Sequence, residues 1–311
     1  MARIIISEFM DESAVRDGFK AHEVVYDPGL VDDPARLASL VAGAQALVVR
    51  NRTQVRGALL AGAPGLKVIG RLGVGLDNID VAACTARGIA VCPATGANDV
   101  AVAEYVLAAA MMLLRGAYQA TPAMTEGAWP REALIGREIS GKTLGLVGFG
   151  AIARETARRA AVLGVRLVAY DPFLKPDDPA WSAYDVTPQP FEDLLAEADI
   201  VSLHVPLTDA TRGLFNAEAL TKMKPGAVLV NAARGGIVDA EALAAALLTG
   251  HLGGAALDVF AREPLRGDDG IVFRDVPNLI LTPHIAGVTE ESNVRVSWVT
   301  VKNVLAHLGG G

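Results

Sequence analysis

Three residues with complementary chemistry stand just beyond apolar runs in the second half of the chain: Arg234, Glu263 and His284. Arg234 follows Val228-Leu-Val-Asn-Ala-Ala233, Glu263 comes after Ala255-Ala-Leu-Asp-Val-Phe260, and His284 ends Leu279-Ile-Leu-Thr-Pro283. An arginine fork grips a carboxylate through two parallel bonds and polarises the neighbouring oxygen. Histidine titrates near neutrality and can take a hydroxyl proton, and a glutamate bonded to the imidazole fixes its tautomer and favours the protonated form. Together they suit the oxidation of a 2-hydroxy acid. Taken singly, each also reads as an ordinary loop residue: a turn arginine before Gly235-Gly236, a solvated helix start at Glu263-Pro264, a capped histidine after Pro283.

These residues need a hydride acceptor and a scaffold. The run Thr143-Leu-Gly-Leu-Val-Gly-Phe-Gly-Ala-Ile-Ala153 supplies a G-x-G-x-x-A turn after a strand. Gly148 and Gly150 let the backbone turn and approach a pyrophosphate, and Ala153 lets the next helix pack closely on the sheet. A helix opening at Ala151-Ile152 aims its unpaired N–H groups and positive dipole end at the phosphates. A second strand, Val165-Arg-Leu-Val-Ala-Tyr170, delivers Asp171 to the ribose hydroxyls of an adenosine. A carboxylate repels a 2′-phosphate, and no arginine stands beside it, so the pattern predicts NAD rather than NADP.

Strand and helix patterns alternate twice along the 311 residues. Strands are predicted at Arg3–Ser7, Glu23–Tyr26, Ala46–Val49, Val68–Gly70 and Ile89–Cys92, then at Leu144–Gly148, Arg166–Tyr170, Ile200–His204, Val228–Asn231, Ala255–Val259 and Leu279–Thr282. Helical patterns include Pro34–Gly43, Val55–Gly62, a long one over Asp99–Leu114, Ala240–Leu248 and Glu290–Leu308. The alternation predicts an α/β fold of doubly wound parallel sheets. A net charge of −7 without a basic block argues against nucleic acid, and the longest apolar stretch is interrupted by Glu104 and is too short for a membrane. Cys84 and Cys92 are too few for a disulfide framework and wrongly spaced for a zinc knuckle, so no metal is expected. Reduced, buried thiols and the absence of a visible signal peptide predict a cytoplasmic protein.

The runs Gly70-Arg-Leu-Gly-Val-Gly-Leu-Asp-Asn-Ile-Asp80, Leu146-Val-Gly-Phe-Gly-Ala-Ile-Ala153, Val230-Asn-Ala-Ala-Arg-Gly-Gly-Ile-Val-Asp239, Ala256-Leu-Asp-Val-Phe260 with Glu263-Pro264, and Thr282-Pro-His-Ile-Ala-Gly287 resemble the NAD-dependent D-2-hydroxyacid dehydrogenase family. The likeness spans essentially the whole chain and is closest to phosphoglycerate dehydrogenase-like members, without their appended regulatory domains. Where that family commonly has a third glycine, Ala153 stands here. The resemblance implies Arg234 as substrate clamp, His284 as acid/base and Glu263 as its partner. It implies a substrate carboxylate cradled at Leu72, Gly73, Val74 and Gly75, the nicotinamide amide near Asp258, and the adenine near His204, Val205 and Pro206. Further cofactor contacts are implied at Thr211, Ala232, Ala233, Arg234, His284, Ala286 and Gly287. It also implies two Rossmann/flavodoxin-like domains with the active site in the cleft between them. Residues 1–98 and 288–311 would form the substrate-binding domain and 99–287 the NAD-binding domain. A homodimer would assemble through 99–141.

The acid itself is harder to read. Arg50-Asn-Arg52 follows the strand Leu47-Val-Val49 and offers a grip on a second anionic group, whereas either arginine alone reads equally well as solvated or paired with an acid. Arg131, after Trp129-Pro130, is a further candidate, reaching in from a partner subunit. The segments Ile6-Ser-Glu-Phe-Met-Asp11, Val49-Arg-Asn-Arg-Thr-Gln-Val55 and Pro93-Ala-Thr-Gly-Ala-Asn98 are similar to those of (S)-sulfolactate dehydrogenases. A sulfomethyl group outranks a carboxylate, so a D-like 2-hydroxy arrangement is there labelled S. The expected substrate is a D-configured, anion-bearing 2-hydroxy acid, sulfolactate first and 3-phosphoglycerate second, with a broader 2-oxoacid reductase as alternative. An NAD-sensing corepressor is the non-enzyme alternative, weakened by the lack of a basic segment or long tails.

Overall fold

The computed structural model describes residues 1–309, and every strand pairing in it is parallel. The chain divides into two compact units, Met1–Asn98 with Val288–Gly311, and Asp99–Gly287; Gly310 and Gly311, the end of the expected substrate-binding domain, lie outside the described residues. The first unit holds β1 (Arg3–Ile6), β2 (Glu23–Tyr26), β3 (Ala46–Val49), β4 (Val68–Arg71) and β5 (Ala90–Pro93), in the order β2-β1-β3-β4-β5. Its strands are short apolar runs because both faces are covered. Ile5, Leu47 and Ile69 pack with Leu37, Val41 and Leu60 on one side. Ile4, Ile6 and Val48 pack on the other with Val296, Val301 and Val304 of the helix Glu290–Leu308. That helix starts in a capping box: Ser292 N donates to Thr289 Oγ1 at 3.0 Å, and Thr289 N donates to Ser292 Oγ at 2.8 Å.

The second unit holds β6 (Thr143–Val147), β7 (Arg166–Tyr170), β8 (Thr187–Pro188), β9 (Ile200–Leu203), β10 (Val228–Asn231), β11 (Gly254–Leu257) and β12 (Leu279–Leu281), in the order β12-β11-β10-β9-β6-β7-β8. Winding reverses between β6 and β9 in this sheet and between β1 and β3 in the first. Ligands of open α/β sheets bind outside the carboxyl ends of strands at such reversals. Ala153, Ala157 and Ala160 of the helix Ala151–Ala161 are fully buried in one cluster with Val102, Val106 and Ala110 of the long helix Asp99–Arg115. The alanine richness of the chain thus serves close helix–helix approach.

Strand ends differ from the sequence expectation by a residue or two, where the last residue turns into a loop. The two-residue β8 was not anticipated, and the segment after the long helix contains a short helix, Ala120–Thr125. Cys84 is buried, but Cys92 is only half-buried, with its sulfur 3.6 Å from His307 Nδ1; both thiols are free, and burial pushes both up from their usual range. Among the described residues no helix is long and apolar enough to cross a membrane, and no cluster of metal-ligating side chains occurs.

Candidate active site

The fingerprint turn is held from inside. Phe149, between the two glycines, is buried and stacks on Trp181 at 4.8 Å between centroids, with Tyr184 edge-on at 5.9 Å. Gly148 takes φ +90°, and a Cβ there would lie 2.7 Å from the His204 carbonyl oxygen. Gly150 is different: a Cβ on it would meet nothing within 4 Å. It caps the helix Ala151–Ala161 without a side-chain bond, so no capping side chain occupies the first-turn N–H groups. Such a cradle fits a pyrophosphate. Asp171, one residue beyond β7, accepts Phe149 N through Oδ2 and Phe173 N through Oδ1, each at 2.9 Å. The carboxylate is thereby fixed beside the turn, with lone pairs left for ribose hydroxyls.

His204 follows β9, and its Nε2 lies 3.0 Å from Ser202 Oγ. Protein packed around the imidazole pushes it down to about 4, so it is neutral at ordinary pH. Val205 and Pro206 continue this loop, which Thr211 closes by donating its hydroxyl to the Pro206 carbonyl at 2.6 Å.

The ends of β10, β11 and β12 bring Arg234, Glu263 and His284 together. Buried Asn231 shapes the first of these loops: its Oδ1 accepts Ala233 N at 3.1 Å and its Nδ2 donates to Arg234 O at 2.9 Å. Ala232 and Ala233 lie in this turn, and Arg234 Nη1 donates to Ala233 O at 2.6 Å. Only glycine fits next, since a Cβ on Gly235 would sit 1.9 Å from Phe260 backbone atoms. Phe260 N donates to Glu263 Oε1 at 3.0 Å, and Glu263 Oε2 lies 2.7 Å from His284 Nδ1. Burial raises the Glu263 carboxyl, but His284, the Phe260 amide and nearby Arg234 outweigh it and hold the group below its usual range. An ionised carboxylate can only accept, so Nδ1 carries a hydrogen, and in that tautomer the open lone pair is on Nε2.

Buried Asp258 organises the histidine loop. Its Oδ1 accepts Ile285 N at 2.8 Å and the Thr282 hydroxyl at 2.6 Å, and its Oδ2 accepts Ala286 N at 2.8 Å. Tyr105 on the long helix extends the chain through a 2.6 Å contact with Thr282 Oγ1. His284 itself takes φ +58°, a left-handed conformation that a non-glycine residue adopts only when its surroundings enforce it. Gly287 ends this loop at the boundary of the unit.

In the first unit, two loops follow β3 and β4. Leu72 is buried and Gly73 takes φ +137°, after which Val74 and Gly75 reach the surface with backbone N–H groups that find no partner among the described residues. The loop after β3 is pinned by buried Glu8. Its Oε1 accepts Arg50 N and Thr53 N at 2.9 Å, and its Oε2 accepts Arg52 N at 3.1 Å. Buried Asn78 holds the carbonyls, donating to Thr53 O at 2.7 Å and Arg50 O at 3.1 Å. The two arginines then part ways. Arg52 pairs with Asp32 on the surface. Arg50 is largely buried, with its guanidinium carbon 5.5 Å from the Phe9 ring centroid and Nη2 donating to Asn293 Oδ1 at 2.6 Å. Its buried Nε has no partner. Arg131 is exposed, and its side chain has no partner among the described residues. Sequence reasoning missed Glu8, Asn78 and Asn293; Glu8 stands inside a quoted motif but looks like any surface acid there.

Residues 107–286 match the family model described as D-isomer specific 2-hydroxyacid dehydrogenase, NAD binding domain. The chain is 58% identical over 309 residues to an (S)-sulfolactate dehydrogenase of Chromohalobacter salexigens, covering 99% of each. It is 40% identical over 300 residues to a D-3-phosphoglycerate dehydrogenase of Synechocystis, covering 96% of this chain but 52% of that one, so it spans about half of that relative's length. Among solved structures it is similar to the D-lactate dehydrogenase of Aquifex aeolicus complexed with NAD and lactic acid, with TM-score 0.84 and 27% identity over 99% of this chain and 96% of that one.

Proposed function

We infer the substrate from the premise that this chain belongs to the D-isomer specific 2-hydroxyacid dehydrogenase family and is an NAD-dependent oxidoreductase acting on the CH–OH group of 2-hydroxy acids. The acid is D-configured and carries a second anion, with (S)-3-sulfolactate as the leading substrate. The observation that carries this reading is Arg50: a largely buried guanidinium beyond β3, at the reversal of the first sheet, with an unpaired Nε. A buried cation with an unmet donor is costly unless an anion completes it. The 58% identity to a protein named (S)-sulfolactate dehydrogenase supports sulfonate over phosphate, and the phosphoglycerate dehydrogenase relatives keep 3-phosphoglycerate as the second reading.

In this reading Arg234 grips the 2-carboxylate, with the free N–H groups of Val74 and Gly75 as further donors beside Leu72 and Gly73. His284 Nε2 takes the hydroxyl proton as the C2–H bond breaks and C2 becomes a carbonyl carbon, while Glu263 holds Nδ1–H and stabilises the imidazolium that results. NAD, when bound, accepts the hydride from C2. Residues 99–287 form the NAD-binding domain, with contacts from Gly148, Gly150, Ala151, Ile152, Asp171, His204, Val205, Pro206, Thr211, Ala232, Ala233, Asp258, Ala286 and Gly287. Residues 1–98 and 288–311 form the substrate-binding domain. The protein works in the cytoplasm as a homodimer through 99–141, a segment whose Met111, Met112, Met124, Trp129 and Ile135 leave apolar surface.

Purified protein with NAD should reduce the cofactor faster on (S)-sulfolactate than on 3-phosphoglycerate or D-lactate, followed by NADH absorbance; a preference for D-lactate would overturn the second-anion reading. His284→Ala should lower turnover by about 10²- to 10⁴-fold while NAD binding persists. Unchanged turnover would reject His284 as the base.

A further inference from the structure

We propose that Asn293 is a specificity-determining residue, the second donor for the substrate's second anion and the group that aims Arg50. The inference rests on the reading of Arg50 given above. Glu8 and Phe9 follow β1, and Arg50 follows β3, so all three lie at the carboxyl ends of the strands that flank the reversal of the first sheet. This crevice would ordinarily offer an anion its backbone N–H groups. Here those of Arg50, Arg52 and Thr53 are already taken by the Glu8 carboxylate. With these three N–H groups occupied, side chains carry the recognition of a second negative group there.

Arg50 and Asn293 meet that need together. Asn293 lies in the second turn of the helix Glu290–Leu308 and accepts Arg50 Nη2 at 2.6 Å. Arginine only donates, so the asparagine oxygen must face it, and the amide Nδ2 is directed away with its hydrogens unspent. Neither Nδ2 of Asn293 nor Nη1 of Arg50 has a hydrogen-bond partner among the described residues. Phe9, under the guanidinium, confines its plane. Two neighbouring donor groups of different charge, one cationic and one neutral, suit a tetrahedral sulfonate, which presents three acceptor oxygens. A short uncharged group such as the methyl of lactate gains nothing from either.

The test compares kcat/KM for (S)-sulfolactate with that for D-lactate in wild type, Asn293→Ala, Asn293→Asp and Arg50→Ala, with melting temperature and NAD affinity measured alongside. Asn293→Ala should lower the sulfolactate-to-lactate ratio about tenfold through KM, the loss expected for one hydrogen bond to a charged group. Asn293→Asp, which keeps an acceptor for Arg50 but replaces the donor with a negative charge, should lower it about a hundredfold. Simple destabilisation would instead lower both acids together and shift the melting temperature. Should the alanine variant fail to fold, Asn293→Gln, which keeps both amide groups one methylene further out, should still shift the ratio. A ratio within twofold of wild type in the Asn293 variants, with Arg50→Ala abolishing the preference, overturns the role of Asn293 and leaves the reading of Arg50 standing. A wild-type enzyme with no preference for sulfolactate overturns both.

Discussion

The two sheets reverse their winding at corresponding points, β1 with β3 in one and β6 with β9 in the other, yet the loops beyond these strands are prepared in opposite ways. Beyond β6 the main chain is left open: nothing lies within 4 Å of where a Gly150 side chain would begin, and the helix Ala151–Ala161 starts without a side-chain cap. Beyond β3 three main-chain N–H groups are already taken, because Glu8, just after β1, accepts those of Arg50, Arg52 and Thr53. The residue after the facing strand differs to match. His204 after β9 is held neutral, pushed down to about 4, whereas Arg50 after β3 keeps a permanent charge beside Glu8. A dinucleotide common to many enzymes is suited to backbone recognition. A substrate that must be told from its analogues is suited to side chains, which a single substitution can change.

Three perturbations break or sharpen this contrast, from the largest effect to the smallest. Glu8→Ala should strand three N–H groups in a site 5% exposed in the wild type. At about 1–3 kcal/mol for each unmet donor, chemical denaturation should show a loss of at least about 3 kcal/mol; a loss under about 1 kcal/mol would mean the loop does not depend on that carboxylate. The His204 contribution runs with pH. Its folded value near 4 lies below the ordinary 6.5, so the unfolded chain binds more protons between the two and stability falls as pH drops through that window. Up to about 3 kcal/mol is at stake, and His204→Asn should flatten the melting-temperature profile between those limits. Gly150→Val should fill the open cradle and weaken NAD binding by roughly 100-fold, about 2.7 kcal/mol, by titration calorimetry. The same change should lower apo stability by no more than about 1 kcal/mol, since the residue only caps a helix and has no near neighbours. Unaltered affinity would place the phosphates elsewhere.

Local signals made much of the scaffold legible. Apolar runs bounded by Gly, Pro and Asp located most strands, and the spacing of Gly148, Gly150 and Ala153 located the helix start at Ala151. The two-residue strand Thr187–Pro188 has no periodicity to detect, being defined only by pairing with β7. The approach of Glu263 to His284 across 21 positions was implied by the family likeness, and the 2.7 Å contact makes it concrete. What no pattern revealed was the supporting layer. Glu8, Asn78 and Asn231 are polar residues whose work depends on burial, and burial of an isolated acid or amide is a property of the packed chain. The choice between Arg50 and Arg52 was equally hidden, because it turns on Asp32, at the end of the short helix Pro28–Asp32, capturing one of them from twenty positions away.

The Glu8–Asn78 clamp grips only backbone atoms of the β3 loop. Its geometry is therefore indifferent to which side chain stands at position 50. Such a loop behaves as a cassette: the reading head can be exchanged while its mount stays put. On the roles proposed for Arg50, Asn293 and Arg234, substrate preference in this scaffold can drift through changes at positions 50 and 293 alone, with neither the carboxylate grip nor the hydride chemistry having to be rebuilt.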